Sequence, residues 1–235
     1  MKLWRYGVLA ILFGIAGWYW WAVSKTSKPE SIVEQRSLKG PSTMPTFRLV
    51  TEADNYGVDF HPENGAYGEK LLPETMGQGV AVVDIDGDGD DDLIFVNGMV
   101  WPWREQKSKT PLLAVYLNDG KGHFSSVEIP GLSEAQGYGQ AIATADLNGD
   151  QRPDIFVTCV GKDQLFLSSA TGYQRMAGVH EGSPTAWSSA AAFFDQDGDG
   201  DLDLLVAEYL HWSPDIDRKI NFQMAGIGKA YGPPK

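Results

Sequence analysis

Asp84–Asp92 reads DIDGDGDDD, six aspartates in nine residues, entered from the apolar run VAVV (80–83) and left through LIFV (93–96). Like charges this close repel, and a carboxylate held against an apolar strand loses solvation. A bound cation relieves both. The stretch also recurs: DIDGDGDDDLIFV from Asp84 is followed by DLNGDQRPDIFV from Asp146 and DQDGDGDLDLLV from Asp195, at intervals of 62 and 49 residues. Such spacing marks a repeat architecture with one supersecondary unit per period.

The surroundings recur with the loops. MGQGVAVV (76–83), YGQAIATA (138–145) and WSSAAAFF (187–194) each place small residues and then a short apolar strand ahead of a loop, and an apolar strand follows each loop. After the first unit, VYLNDGKGHFSSV (115–127) carries a hairpin signal at Asn118-Asp119-Gly120. LFLSSATGYQRM (165–176) is its worn counterpart in the second. Four short strands in about 50 residues is the content of one propeller blade. The expected fold is therefore all-β, a partial β-propeller of about three blades over residues 47–235.

Aligned, the loops put acids or amides at positions 1, 3, 5 and 9. These are Asp84, Asp86, Asp88 and Asp92; Asp146, Asn148, Asp150 and Asp154; and Asp195, Asp197, Asp199 and Asp203. The position-7 carbonyls of Asp90, Arg152 and Asp201 complete each expected shell. Hard oxygen donors at alternate positions suit calcium, which accepts six to eight oxygens in flexible geometry, better than magnesium, which keeps its waters. The lack of His and Cys disfavours zinc and copper. An EF-hand needs a bidentate Glu at position 12, where Phe95, Val157 and Val206 stand instead. Up to three calcium ions are expected. The second loop is expected to bind most weakly, having three carboxylates and an amide, and Gln151 where the others have glycine.

These loops, D-x-D-x-D-G-x-x-D with a small-residue strand ahead of each, resemble the FG-GAP or VCBS repeats of integrin-type β-propellers. LPETMGQGVAVVDIDGDGDDDLIFVNG (72–98) in particular resembles the bacterial relatives of cartilage acidic protein, which often carry an ASPIC/UnbV domain. The resemblance covers roughly residues 46–235 and implies a calcium-stabilised propeller used for adhesion or protein interaction, without catalysis. The chain departs from the pattern in having about three blades where seven are common and in lacking an ASPIC/UnbV segment.

Composition narrows the partners. The net charge is −12, and because the four basic residues before position 29 face no acid, the remainder carries −16. Nucleic acid is excluded, since phosphate binding needs clustered Lys and Arg. The single cysteine, Cys159, lies in the apolar run IFVTCV and reads as a buried thiol. His61, His123, His180 and His211 are scattered, and Ser168-Ser169 and Ser188-Ser189 lack a nucleophile elbow, so no enzyme is expected.

Lys2 and Arg5 precede an uncharged run from Gly7 to Val23 that ends in Trp18-Tyr19-Trp20-Trp21 and is followed by Lys25 and Lys28. Seventeen residues at the short end of the spanning range, with an aromatic belt, predict a transmembrane helix over about 7–23 within an N-terminal anchor, residues 1–23. A cleaved signal peptide ending near Ala22-Val23-Ser24 is the competing reading. Residues 24–46, broken by Pro29, Pro41 and Pro45, form a tether. The expected location is a bacterial inner membrane, crossed once, with the repeats in the periplasm or outside the cell. Two functions remain open. One is an anchored interaction module, an accessory or scaffolding subunit docked on a membrane or periplasmic protein; the other is a calcium-dependent glycan-binding or adhesion module, or a fragment of a longer propeller protein. Trp101-Pro102-Trp103 is the candidate contact for a protein, and the same stretch with His211-Trp212 for a glycan, unless those indoles fill space between blades.

Overall fold

Each acidic loop joins two antiparallel strands, and all three pairs share one register. The computed structural model describes residues 53–105, 110–220, 222–226 and 228–232, so the expected anchor (7–23) and tether (24–46) lie outside the described residues. Among the described residues no helix is long and apolar enough to cross a membrane. In the first unit β1 (Val80–Val83) pairs with β2 (Asp92–Val96), with Val80 opposite Phe95 and Val83 opposite Asp92. The order continues through β3 (Leu113–Asn118) and β4 (Phe124–Val127) to make a four-stranded antiparallel blade. The second blade repeats it with β5 (Tyr138–Ala145), β6 (Asp154–Val160), β7 (Gln164–Ser169) and β8 (Gly172–Met176). Ile142 stands opposite Val157, and Ala145 opposite Asp154.

The third unit differs from the expectation of a third blade. Only its first two strands are present among the described residues: β9 (Ala186–Phe194) and β10 (Asp203–His211), with Ala191 opposite Val206 and Phe194 opposite Asp203. The half-blade joins the second blade's sheet by one pairing, Val160 with Trp187. The sequence after His211 carries no hairpin signal of the first unit's kind. Instead it forms a short helix, α1 (Pro214–Arg218), capped by the Ser213 hydroxyl, which accepts from the Ile216 amide at 3.2 Å, and then a small hairpin, β11 (Gln223–Met224) and β12 (Gly228–Lys229).

The period of two along each strand sends alternate residues to opposite neighbours. Ile94, Val96 and Val115 of the first blade pack with Ile155, Val157 and Phe166 of the second, all essentially fully buried. From the other face of the second blade, Phe156 meets Phe193 of the half-blade edge-on, with ring centroids 6.4 Å apart. Where the inner strands converge, the small residues noted in sequence have a steric purpose. A Cβ at Gly139 would lie 2.3 Å from the Val96 methyl Cγ1.

A second core closes the end opposite the acidic loops. Trp101 is 3% exposed and stacks on Tyr138 (4.8 Å), Trp103 (5.2 Å) and Trp212 (5.3 Å). Trp187 donates its indole N–H to Gln140 Oε1, and Trp212 donates to the buried Asp217, which also accepts from the Leu72 amide. Glu69 binds the rim: it accepts from Trp103 Nε1, Arg104 and Arg218, and the Arg218 guanidinium covers the Trp103 ring at 4.5 Å. The Arg218 hydrogen bond comes first among the causes that hold the Glu69 carboxyl below its usual range.

The close approach at Gly139 yields the first prediction. Gly139→Ala should cost about 1–3 kcal/mol through overpacking against Val96. Urea unfolding checks this, with Ala143→Gly as the control that removes bulk rather than adding it.

Candidate metal centres

The three loops are built on one hydrogen-bond plan, which the first two share in full and the third in all but one bond. In the first, Asp84 Oδ1 accepts from the amides of Gly87 (2.7 Å) and Asp88 (3.2 Å), and Oδ2 from Gly89 (2.9 Å). Asp86 Oδ1 accepts from Asp88 N, and Asp88 Oδ1 from Asp90 N. The second loop repeats this with Asp146 accepting from Gly149, Asp150 and Gln151, Asn148 from Asp150 and Asp150 from Arg152. In the third, Asp195 accepts from Gly198 and Gly200, Asp197 from Asp199 and Asp199 from Asp201. Each is a run of Asx turns in which the alternate carboxylates curl the backbone round one point. The sixth position must be left-handed: Gly89 and Gly200 both have φ of 95°. Gln151 is held at φ 66°, a conformation glycine adopts without cost.

The carboxylates converge in two of the loops. Ligand oxygens of Asp84, Asp86 and Asp88 lie within 4.8 Å of one another, as do those of Asp195, Asp197 and Asp203. Exposed as it is, Asp86 is partly desolvated by the curl of the loop. That desolvation, joined by the charges of Asp88, Asp92 and Asp84, raises its carboxyl above the usual range. In the second loop other groups offset the charge. Ser168 Oγ donates to Asp150 Oδ2 at 2.8 Å, the Asn148 amide reaches the same oxygen at 3.2 Å, and Asp150 is lowered, chiefly by the Ser168 hydrogen bond. The donor sets of the first and third loops, hard carboxylate oxygens brought within 4.8 Å of one another, fit calcium. The second loop fits it less well.

Position 9 has a job in the fold as well. Asp92 and Asp154 are 0% exposed. Asp92 accepts from the Ile85 amide on one oxygen (2.9 Å) and from the Asn118 amide on the other (2.8 Å). Asp154 does the same with Leu147 (2.8 Å) and Ser168 (2.6 Å). Each thus ties the loop's second residue to the end of the third strand, and neither is among the carboxylates that converge in the first and third loops. Asp203 also accepts from Gln196 N (2.9 Å). With no third strand beside β10 among the described residues, it is exposed and turns toward Asp195 and Asp197. The third-strand partners, Asn118 and Ser168, were not assigned to the site from sequence. Their signal is their equivalent place in VYLND and LFLSS.

The other singled-out residues fall outside the loops' chemistry. Trp101 and Trp212 lie inside the aromatic core, so they fill space between blades, and only Trp103 of the three is exposed. Cys159 is buried, and burial pushes its thiol up to about 12. Ser188 is buried and donates to Asp163, whose carboxyl burial raises and which His180 approaches at 3.7 Å.

Two overlapping matches to the FG-GAP-like repeat model cover residues 84–157 and 146–206, each taking in two successive acidic loops. The chain belongs to the FG-GAP-like repeat family. It is also similar to integrin alpha-V of Gallus gallus, 27% identical over 217 residues, which covers 86% of this chain and 19% of that protein. The chain thus spans about a fifth of the length of this relative. The FG-GAP repeat expected from the loops is established, whereas the finer likeness to proteins with ASPIC/UnbV domains is not part of these matches.

Position 9 and position 3 should separate on mutation. In chelator, Asp154→Ala should cost about 2–5 kcal/mol, because the buried Ser168 amide and the partly buried Leu147 amide lose their acceptor. Asp86→Ala should change stability by no more than about 1 kcal/mol there, and should instead shrink the extra stability that calcium confers. Paired denaturant titrations with and without calcium read both effects.

Proposed function

We propose that the protein is a calcium-stabilised, non-enzymatic interaction module, anchored by residues 7–23 in a bacterial inner membrane with its repeats on the exported side. There it serves as an accessory or scaffolding subunit of a membrane or periplasmic assembly. The observation that carries the reading is the threefold recurrence of one loop geometry, with crowded carboxylates at Asp84-Asp86-Asp88 and Asp195-Asp197-Asp203, in a chain of FG-GAP-like repeats. Neutralising those carboxylates is what a bound calcium ion would supply. The loop residues themselves fix the turns, through Asx bonds and the position-9 ties, and so present preformed oxygen donors. The second loop, whose Asp150 already accepts from Ser168 and Asn148, takes calcium most weakly. Support for interaction over catalysis comes from the FG-GAP-like repeat family to which the chain belongs. Support for protein over glycan as the partner comes from the indoles: Trp101 and Trp212 are interior, and Trp103 has its faces against Trp101 and Arg218.

Chelation should lower the melting temperature of the full chain, and added calcium should restore it with two tighter sites and one weaker site by calorimetric titration. Identical melts in chelator and calcium would overturn the metal role. The anchor is tested separately: the intact mass of the mature protein should retain Met1–Val23, and a new N-terminus near Lys25 would mark a cleaved signal peptide instead.

A further inference from the structure

The turn between β6 and β7, Gly161-Lys162-Asp163, grips the connection that leads from β8 to β9. Gly161 donates its amide to Ala186 O (2.7 Å) and Asp163 its amide to Glu181 O (2.9 Å), while Lys162 Nζ pairs with Glu181 Oε2 at 2.6 Å. The sheet adds one pairing at this junction, Val160 with Trp187. The turn therefore fastens the path by which the chain enters its third unit. Asp163 is the buried centre of the fastening, with no exposure to water. Its Oδ1 accepts from the Cys159 amide and its Oδ2 from the Ser188 hydroxyl of β9, both at 2.7 Å. Among the described residues one cationic side chain comes within 4 Å of it: His180 of the connection, with Nε2 3.7 Å from Oδ2. Lys162 is already paired with Glu181. A buried carboxylate with two neutral donors and no permanent countercharge is costly to keep ionised. An imidazole gains its proton between about pH 5 and 8, and that of His180 is half-exposed, so solvent can supply it. The backbone holds His180 at φ 24°, a left-handed conformation that persists in a residue with a side chain only where its surroundings fix it.

We infer that Asp163 and His180 form a pH-operated latch between the second blade and the third unit: acidification closes the β8–β9 connection onto the blade, and alkalinisation loosens it. The closed latch holds a proton that an open connection gives up, so acid favours closure by linkage. Two contributions run the same way. Burial comes first among the causes that raise the Asp163 carboxyl above its usual range, and the charge of Glu208 on β10 adds to it; the bonds from Ser188 and Cys159 and the approach of His180 act against it. A group raised in the folded state contributes stability that is present below its ordinary range and is lost as pH rises through the raised value. Where Asp163 is ionised, a protonated His180 supplies the missing charge, and this is lost as pH rises through the imidazole range. The other charged neighbours do not reverse the sign. Glu181 is held below its usual range, chiefly by the Lys162 bond, and so stays ionised beside His180. The Cys159 thiol, pushed up to about 12 mainly by burial, stays neutral, and Arg175 of β8 acts on Cys159 and Glu181. None of these residues belongs to an acidic loop, so the latch is independent of the metal reading.

The test is hydrogen exchange with mass readout on the full chain in detergent at saturating calcium, at about pH 5.5 and about pH 8, corrected for intrinsic rates. Peptides over 177–188 are compared with peptides over 138–145 in β5 as an internal standard. In the wild type, protection of 177–188 relative to the standard should be about two- to fivefold higher at the lower pH, the span of a partly exposed ion pair. His180→Gln keeps a polar side chain without the charge and should lose the greater part of that difference. Asp163→Asn should remove the pH dependence altogether. Calcium binding by the loops is common to all three proteins, so its own pH dependence cancels in the comparison. An equal rise in the wild type and His180→Gln overturns the latch, as does no rise in the wild type or greater protection at the higher pH. If Asp163→Asn does not fold, His180→Gln decides alone, since its side chain is half-exposed.

Discussion

Asp92 and Asp154 each hold two pieces of backbone together, the start of the acidic loop and the end of the third strand, and do so from positions with no exposure to water. Most of what the blade needs depends on this pair of bonds. The loop can be crowded with charge because its ends are fixed. The second strand can begin at a buried aspartate because that residue satisfies amides that would otherwise lack partners. In the half-blade the same aspartate, Asp203, has only the loop to hold, and it lies open to solvent. The contrast separates what the loop does for itself from what a complete blade adds.

The loops share a backbone and differ in how their charge is met. In the first, the carboxylates face one another and Asp86 takes up protons more readily than an isolated aspartate. In the second, Ser168 and Asn148 supply hydrogen, and Asp150 gives up its proton more readily. The left-handed Gln151 of that loop is tolerated where the others have glycine, which fits a loop whose shape is secured by its own hydrogen bonds. Equal spacing in sequence therefore does not mean equal demand for an ion.

Much of this was legible beforehand. The strand, acidic loop and strand recur in sequence because the chain repeats one register, so the alignment of Asp84, Asp146 and Asp195 carries the pairing of Val80 with Phe95, Ile142 with Val157 and Ala191 with Val206. Two things were not legible. The role of position 9 depends on amides donated by Asn118 and Ser168, which are distant in sequence and contribute backbone rather than side chain. The burial of Trp101 and Trp212 depends on three units meeting at one end, whereas a Trp-Pro-Trp run by itself reads equally well as a surface or a core. The third blade was overcounted because its loop and first two strands are intact, while the hairpin that finishes a blade leaves only a weak local signal even when present, as in the second unit.

The stacked rings at the end away from the loops bear on how the chain folds. Blades that touch only their neighbours would let structure form from either end and spread, as in a linear array. Trp101 comes from the first unit, Tyr138 opens the second and Trp212 follows the third, so their stack brings together segments far apart along the chain. Such contacts raise contact order and form late. A core shared by all three units is complete only when the last of them has been placed, so the loss of any one unit removes packing that the others share.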